Sequence, residues 1–272
     1  MVEAALVEKT VERLTLRKPA RFQINALTKV GRKQLQEVLV EFFRLENLDR
    51  AHVLPIHYAI VEVVFNALKG NVKFVAFREE IRKQLNRFKI SEIEDLLQVI
   101  IEERTLREFM AHRVLPEVLR PQVSKIFDLE EKYRTGMGKK LSADQIEMIR
   151  RFRMLIRSID AEVQMVIQPS DDMIAITVTN NVPMLGRDLE RIENSRRYHQ
   201  KLHQEGRAGE FFDSENIDNT ESAGFGIAMV DQGFYRFGLN PFEHMRIESR
   251  NRETLVTLSY PRRVLKKNPA DS

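Results

Sequence analysis

The spacing of apolar positions is helical in the first 160 residues and becomes strand-like afterwards. Between Thr28 and Glu46, apolar residues recur three or four positions apart, which predicts an amphipathic helix. A second helix is predicted from Pro55 to about Arg78, because proline suits the first turn of a helix and the apolar residues after it keep this spacing. Two consecutive helices with one apolar stripe each are typical of helices that cover a sheet.

Residues 79–160 keep the helical pattern, and two helix starts within them are marked by capping boxes. Ser91 is followed by Glu94, and Ser142 is followed by Gln145. Such a pair satisfies backbone N–H groups at a helix N-terminus. Strands are predicted on both sides of this block, so we interpret it as a helical insertion, with a separate helical domain as the alternative.

Short alternating segments predict strands. After a lead-in over residues 1–20, residues 21–25 read as a brief strand, and residues 163–178 and 245–259 read as two β-hairpins. A helix that begins with glycines is predicted from Ala223 to Phe237. Helices followed by a mixed sheet indicate the α+β class.

Two polar segments carry no such pattern. The stretch from Arg187 to Glu221 is rich in charge and contains Gly206 and Gly209, which predicts a mobile loop or lid. Residues 264–272 form a basic tail.

Composition narrows the chemistry and the compartment. The chain has no cysteine, which excludes disulfides, thiolate metal sites and a cysteine nucleophile. The N-terminus alternates charged and apolar residues, unlike a signal peptide, and no apolar run approaches roughly 18 residues, the length that spans a membrane. We therefore expect a cytoplasmic protein without a membrane partner.

One polar face of the second helix could hold a metal ion. Glu62, Asn66, Lys69 and Lys73 are spaced four, three and four residues apart, so they share that face. A carboxylate and a carboxamide one turn apart suit hydrated Mg²⁺, and Glu62 could also orient or deprotonate a water molecule. An ordinary solvated helix face is the alternative.

Two further segments could contact a ligand. Gly224 and Gly226 precede an apolar helical run, where backbone N–H groups and the helix N-terminus favour a phosphate. Asn180 ends a predicted strand, where its carboxamide could bind the edge of a ligand. The alternatives are a tight loop at the glycines and an ordinary turn at Asn180 and Asn181.

In this order, the three segments resemble the GHKL ATPase superfamily, whose Asn helix, two glycine boxes and lid surround the nucleotide. The resemblance covers residues 21–78 and 161–261, and the domain that it outlines is residues 21–78 and 161–263. The segment from Phe22 through Asn66 is similar to bacterial anti-sigma serine kinases, and residues 188–192 and the closing hairpin are similar to histidine-kinase catalytic domains. The fold implied is a Bergerat-type α/β sandwich, a mixed sheet covered by helices on one face.

The resemblance also implies a role for each matching residue. Asn66 would ligate Mg²⁺, Glu62 would act as a base or orient a water, and Lys69 would approach the phosphates of ATP. Gly224 and Gly226 would surround those phosphates.

Three positions depart from the family pattern. Asn180 stands where the family has an aspartate that reads the adenine amino group, and Val182 and Met184 stand where two glycines are expected. An asparagine can still accept a hydrogen bond from that amino group, without the strength that a charge adds. The bulkier neighbours would narrow the adenine pocket.

The functional hypothesis is an ATP- and Mg²⁺-binding signalling protein, acting as a serine/threonine protein kinase or partner-switching regulator on a protein partner. The alternative is a nucleotide-independent interaction module that uses residues 79–160 to hold a partner or a second copy of the chain. A third reading is a nucleic-acid-associated ATPase. It is disfavoured because a solvated helix face explains the arginine cluster at residues 150–157 more simply.

Overall fold

The structure is a computed structural model that describes residues 2–86, 141–158, 161–182, 184, 186–213, 223–250 and 253–266, with isolated positions between 121 and 133. In chain order, the helices are α1 (Val2–Thr15), α2 (Lys29–Leu45), α3 (Val53–Asn86), α4 (Ala143–Ser158), α5 (Gly186–Gln204), α6 (Glu210–Asp213), α7 (Ala223–Arg236), α8 (Pro241–His244) and α9 (Arg262–Leu265). The strands are β1 (Ala20–Ile24), β2 (Val163–Pro169), β3 (Met173–Asn180), β4 (Met245–Arg250) and β5 (Glu253–Pro261).

The described strands form one five-stranded sheet in the order β1-β2-β3-β5-β4. This confirms the α+β class and both hairpins, but all four pairings are antiparallel, so the prediction of a mixed sheet is wrong. The physical reason lies in the connections. Helices lie between β1 and β2, and the chain returns from them so that β2 pairs antiparallel with β1. Helices also lie between β3 and β4, and after the β4–β5 hairpin the chain runs so that β5 pairs antiparallel with β3.

The hydrophobic core lies on one face of this sheet. Along β3 alternate side chains are buried, among them Ile176 and Val178, while Gln164 and Gln168 of β2 are exposed on the other face. Helix α3 packs across β2 and β3 and buries Ile60 in the same hydrophobic cluster. The amphipathic pattern of the sequence is therefore realised as helices over one side of a sheet.

Helix α3 is longer than the sequence pattern predicted. It continues through Arg78 to Asn86, so the predicted boundary between the ATP-binding domain and the insertion falls within one helix. In the described part of the chain, Arg50–Ala76 is also long and apolar enough to cross a membrane, contrary to the expectation from apolar runs, although a core helix passes this test too.

The start of α4 confirms one of the two capping boxes. The backbone N–H of Ser142 donates to Oε1 of Gln145 at 2.9 Å, and the N–H of Gln145 donates to the hydroxyl of Ser142 at 3.3 Å. The other predicted box, at Ser91 and Glu94, lies outside the described residues, as does most of the predicted insertion.

The predicted mobile loop after Arg187 is wrong over most of its length, because the chain there forms α5 and α6. Residues 214–222 lie outside the described part. Helix α5 looks too hydrophilic to pack, but its inward face combines Ile192 with two polar side chains, Arg196 and His199, which are both buried. Each of these polar groups has a specific environment on α7.

Arg196 and Asp231 form a buried ion pair that fastens α5 to α7. Nε of Arg196 lies 2.9 Å from Oδ2 of Asp231, and one terminal nitrogen lies 3.0 Å from Oδ1. The guanidinium also donates to the carbonyl of Pro241 at 3.0 Å and stacks over the ring of Phe242. Burial raises the pKa of the Asp231 carboxyl, although the hydrogen bonds from Arg196 act in the opposite direction.

His199 is buried beside this ion pair in an aromatic environment. Its ring makes edge contacts with Phe211 and Phe212 of α6 and lies against Tyr235 of α7. Burial, and to a lesser degree the charge of His203, lowers the pKa of His199 to about 4. The imidazole is therefore neutral at neutral pH and serves as a core side chain.

Removing one partner of the Arg196–Asp231 pair should cost more stability than removing both. We expect Arg196→Met and Asp231→Leu each to lower the free energy of unfolding by about 3–5 kcal/mol, because each leaves an uncompensated buried charge. The double variant should lose less than either single variant. Urea unfolding measures all three, and Glu210→Gln, which removes the exposed partner of Arg207, is the control that should leave stability unchanged. Additive losses in the double variant would contradict this account of the pair.

Candidate functional site

A cleft opens between α3, the sheet, α5 and α7, and we call it the central cleft. It spans about 900 Å³ of empty space, part of which is open solvent. Its lining is formed by Val63, Asn66, Ala67, Lys69, Gly70, Lys73, Phe74, Val178, Asn180, Met184, Asp188, Arg191, Ile192, Ile227, Ile247, Thr254 and Val256.

The cleft brings together site residues that are far apart in the sequence. Asn66 and Lys69 of α3 and Asn180 at the end of β3 all line it. The described lining does not include Glu62 or Gly226, which approach each other beside the cleft, and Gly224 is the second residue of α7. Asp188 and Arg191 of the cleft were assigned no chemistry from the sequence, because that stretch was interpreted as a loop.

Glu62 and Asn66 interact directly on α3. Nδ2 of Asn66 donates to Oε1 of Glu62 at 3.0 Å. The amide nitrogen is thereby used within the helix, and the carbonyl oxygen of Asn66 is the strong acceptor that the side chain can offer to a cation. Burial raises the pKa of Tyr58, and the nearby carboxylate of Glu62 raises it further.

Gly226 leaves room for the side chain of Glu62 where α7 approaches α3 closely. A Cβ atom built at position 226 would overlap Oε1 and Cδ of Glu62 and would lie 2.9 Å from Oε2. A Cβ atom built at Gly233, further along the same helix, would meet no heavy atom within 4 Å. The sequence therefore places a glycine in the first turns of α7 where a carboxylate from α3 needs the room.

Asn180 fastens the end of β3 to α3. Its Nδ2 donates to the backbone carbonyl of Ala67 at 2.9 Å, and its Oδ1 accepts from the backbone N–H of Val182 at 3.3 Å. The side chain is only 3% exposed. Nδ2 also lies 3.1 Å from the position that a Cβ of Gly70 would take, so the amide fits closely under α3.

The two bulky departures have different positions. Met184 lines the cleft, where it occupies space that a glycine would leave to a ligand. Val182 is buried, and its carbonyl accepts a hydrogen bond of 3.1 Å from the hydroxyl of Thr254. The turn after β3 is therefore held to β5 by Thr254, which sequence reasoning did not identify.

Cationic side chains lie at one part of the cleft. Nζ of Lys73 lies 3.0 Å from Oδ2 of Asp188, and a terminal nitrogen of Arg191 lies 3.4 Å from Oδ1 of the same carboxylate. Lys69 places its ammonium 4.6 Å from the centre of the Phe65 ring. Because most of the remaining lining is apolar, the cleft suits a ligand with an apolar body and an anionic end.

The oxygen donors at Glu62 and Asn66 fit a hydrated Mg²⁺ that completes its coordination with waters and ligand phosphates. Among the described residues, no group of three or more histidine, cysteine, aspartate or glutamate side chains could hold a metal by itself. The donor set therefore fits a metal that arrives with a phosphate ligand better than an independent metal site.

The fold and the cleft define an α+β protein with a partly apolar, partly cationic binding cleft beside its central helix. A scan against protein-family models and searches of curated proteins and of solved structures gave no match to this chain. The resemblance to GHKL ATPases therefore depends on the residues named above.

We expect Asn180→Asp to destabilise the protein at neutral pH. The introduced carboxylate would face the carbonyl of Ala67 without a proton to donate, at a cost of about 1–3 kcal/mol. Its pKa in the folded state should exceed the ordinary aspartate value. The deficit should therefore be largest above that pKa and shrink as the pH falls through it, because the protonated acid can donate again.

Thermal or urea unfolding of the wild-type protein and of Asn180→Asp at a series of acidic pH values tests this expectation. The matched control is Asn181→Asp, because Oδ1 of the exposed Asn181 accepts a 2.7 Å hydrogen bond from the backbone N–H of Glu162, which a carboxylate can also do. A loss of stability in Asn180→Asp that is independent of pH would contradict the assigned hydrogen bond to Ala67.

Proposed function

We propose that this protein binds ATP together with Mg²⁺ in the central cleft and acts as a signalling protein of the GHKL type. The observation that carries the proposal is the convergence of three sequence segments on one cleft. Asn66 and Lys69 of α3 line the cleft with Asn180, which follows them by more than a hundred residues in the sequence, and with Ile227 at the start of α7. Beside the cleft, Gly226 of α7 approaches Glu62 of α3. A Bergerat-type fold with a cytoplasmic location is part of the same proposal.

Each part of the cleft has a role in this proposal. The apolar lining residues, among them Val63 and Ile227, would surround the base, and Lys69 would face the phosphates. Backbone N–H groups in the first turn of α7 favour an anion, because they have no partners within the helix and lie at its positive end. Bound Mg²⁺ would neutralise phosphate charge, with the carbonyl oxygen of Asn66 holding it.

The chemical step proposed is transfer of the terminal phosphoryl group to a hydroxyl of a protein partner. Such transfer depends mostly on positioning and on neutralising charge. Glu62 would accept the proton of the attacking hydroxyl or water, or orient that group. Its hydrogen bond from Asn66 and its contact with Gly226 hold the carboxylate between α3 and α7, where such a group would be needed.

A second function is favoured by the environment of Asn180. Both ends of its carboxamide are already engaged, with Ala67 and Val182, and Met184 fills part of the cleft. These features would weaken recognition of an adenine amino group. They support the alternative of a protein-interaction module that has kept the fold and does not use the nucleotide.

Calorimetric titration with a non-hydrolysable ATP analogue, with and without Mg²⁺, separates the two functions. If ATP binds as proposed, the wild-type protein should show saturable binding that Mg²⁺ strengthens. Asn66→Ala should remove most of the Mg²⁺ effect, weakening binding by at least about tenfold, as loss of a metal-holding group does. Absence of binding at millimolar analogue would reject the ATP proposal and leave the interaction module.

A pair of glycine variants in the same helix provides the control for folding. Gly226→Ala should displace the Glu62 carboxylate, because that carboxylate is the flexible end of a side chain, and should weaken Mg²⁺-dependent binding. Gly233→Ala meets no atom within 4 Å, so it should keep binding and gain about 0.5–1 kcal/mol of stability from helix propensity. Equal binding by both variants would contradict the position given to Glu62.

A further inference from the structure

An acidic side chain lies inside the part of the cleft proposed for phosphates. Asp188, in the first turn of α5, is held between Lys73 of α3 and Arg191 of its own helix, at 3.0 and 3.4 Å. Its side chain is 23% exposed and that of Lys73 is 15% exposed, so water screens this pair only partly. The roles proposed above leave Asp188 without a function.

A carboxylate at this point opposes the binding of an anionic ligand. Its single negative charge offsets one of the two positive charges of Lys73 and Arg191 in the free protein, and a phosphate that approaches either cation meets that negative charge. A phosphate group carries more charge than a carboxylate and presents several acceptor oxygens to an arginine, so it can replace Asp188 as a partner. Both cations would then contact the ligand.

We propose that Asp188 competes with the phosphate groups of the ligand for two cations. Asp188 pairs with Lys73 and Arg191 until a polyanionic ligand displaces it. This inference rests on the proposed function, since it requires that the cleft accept a phosphate-bearing ligand. It adds a basis for selectivity: ligands with more phosphate charge displace Asp188 more effectively, while a neutral nucleoside gains nothing from its displacement.

Asp188 also connects one end of α5 to α3. The ion pair with Lys73 holds the N-terminal turn of α5 to α3, whereas Arg196, two turns further along, is attached to Asp231 of α7. A phosphate that displaced Asp188 would take over this connection, because it would contact Lys73 of α3 and Arg191 of α5. In the free protein, Asp188 therefore holds the N-terminal part of α5 until a ligand replaces it.

The test compares wild-type protein with Asp188→Asn in titrations with adenosine, its monophosphate and ATP. We expect Asp188→Asn to raise the affinity for ATP roughly fivefold, the monophosphate less, and adenosine not at all, with the gain shrinking as salt is added. Glu190→Gln is the matched control, because Glu190 is exposed on the same turn of α5 and the variant changes the net charge equally. An unchanged ATP affinity in Asp188→Asn, or the same gain in Glu190→Gln, would overturn the proposal.

A distance measurement without ligand keeps this test separate from the proposed function. Because the chain has no cysteine, spin labels can be attached at Val30→Cys on α2 and Glu190→Cys near the N-terminus of α5, both exposed positions. Asp188→Asn should broaden the distance distribution between the labels, and Glu193→Gln, a change at another exposed acidic position of α5, should not. If no nucleotide binds either protein, the proposed function fails, while a broadened distribution still supports the role of Asp188 in holding α5. An unchanged distribution overturns that role as well.

Discussion

The buried ion pair between Arg196 and Asp231 is the interaction on which the central cleft depends. It joins α5 to α7 with short hydrogen bonds from a guanidinium that is nearly inaccessible to water. Helix α7 in turn packs against α3, where Gly226 leaves room for Glu62. Helices α5 and α7, which form two walls of the cleft, are thus positioned by the Arg196–Asp231 ion pair and by the absence of a side chain at Gly226. The hydrophobic core alone supplies neither of these two contacts.

Much of this arrangement could be predicted from the sequence, because it follows from local periodicity. The two hairpins, α2, α7 and the capping box at Ser142 were predicted within a few residues. Helix α5 was missed because its inward face carries Arg196 and His199, and periodicity of apolar residues cannot show that a charge will be buried opposite a partner 35 positions away. The antiparallel pairing of β3 with β5 was missed for a related reason, since register between distant strands is not a local property.

The candidate site shows the same division. The spacing of Glu62, Asn66 and Lys69 fixed a shared helix face, and the glycine before α7 indicated a close approach, but not that the approaching group would be Glu62 itself. Asn180 was identified as a ligand contact, whereas its amide holds α3 to the sheet through Ala67. An aspartate at this position could not make the same contact at neutral pH, because a carboxylate has no proton for that carbonyl.

The most direct test of the central claim, that one cleft beside α3 binds ATP with Mg²⁺, is methyl NMR of the isoleucine and valine side chains during titration with a non-hydrolysable ATP analogue. The account predicts Mg²⁺-dependent shifts at cleft residues, among them Val178, Ile192 and Ile227. It predicts none at the buried Ile167 or Ile174, which are in the core and not in the lining. Absence of shifts, or shifts confined to residues outside the cleft, would contradict it.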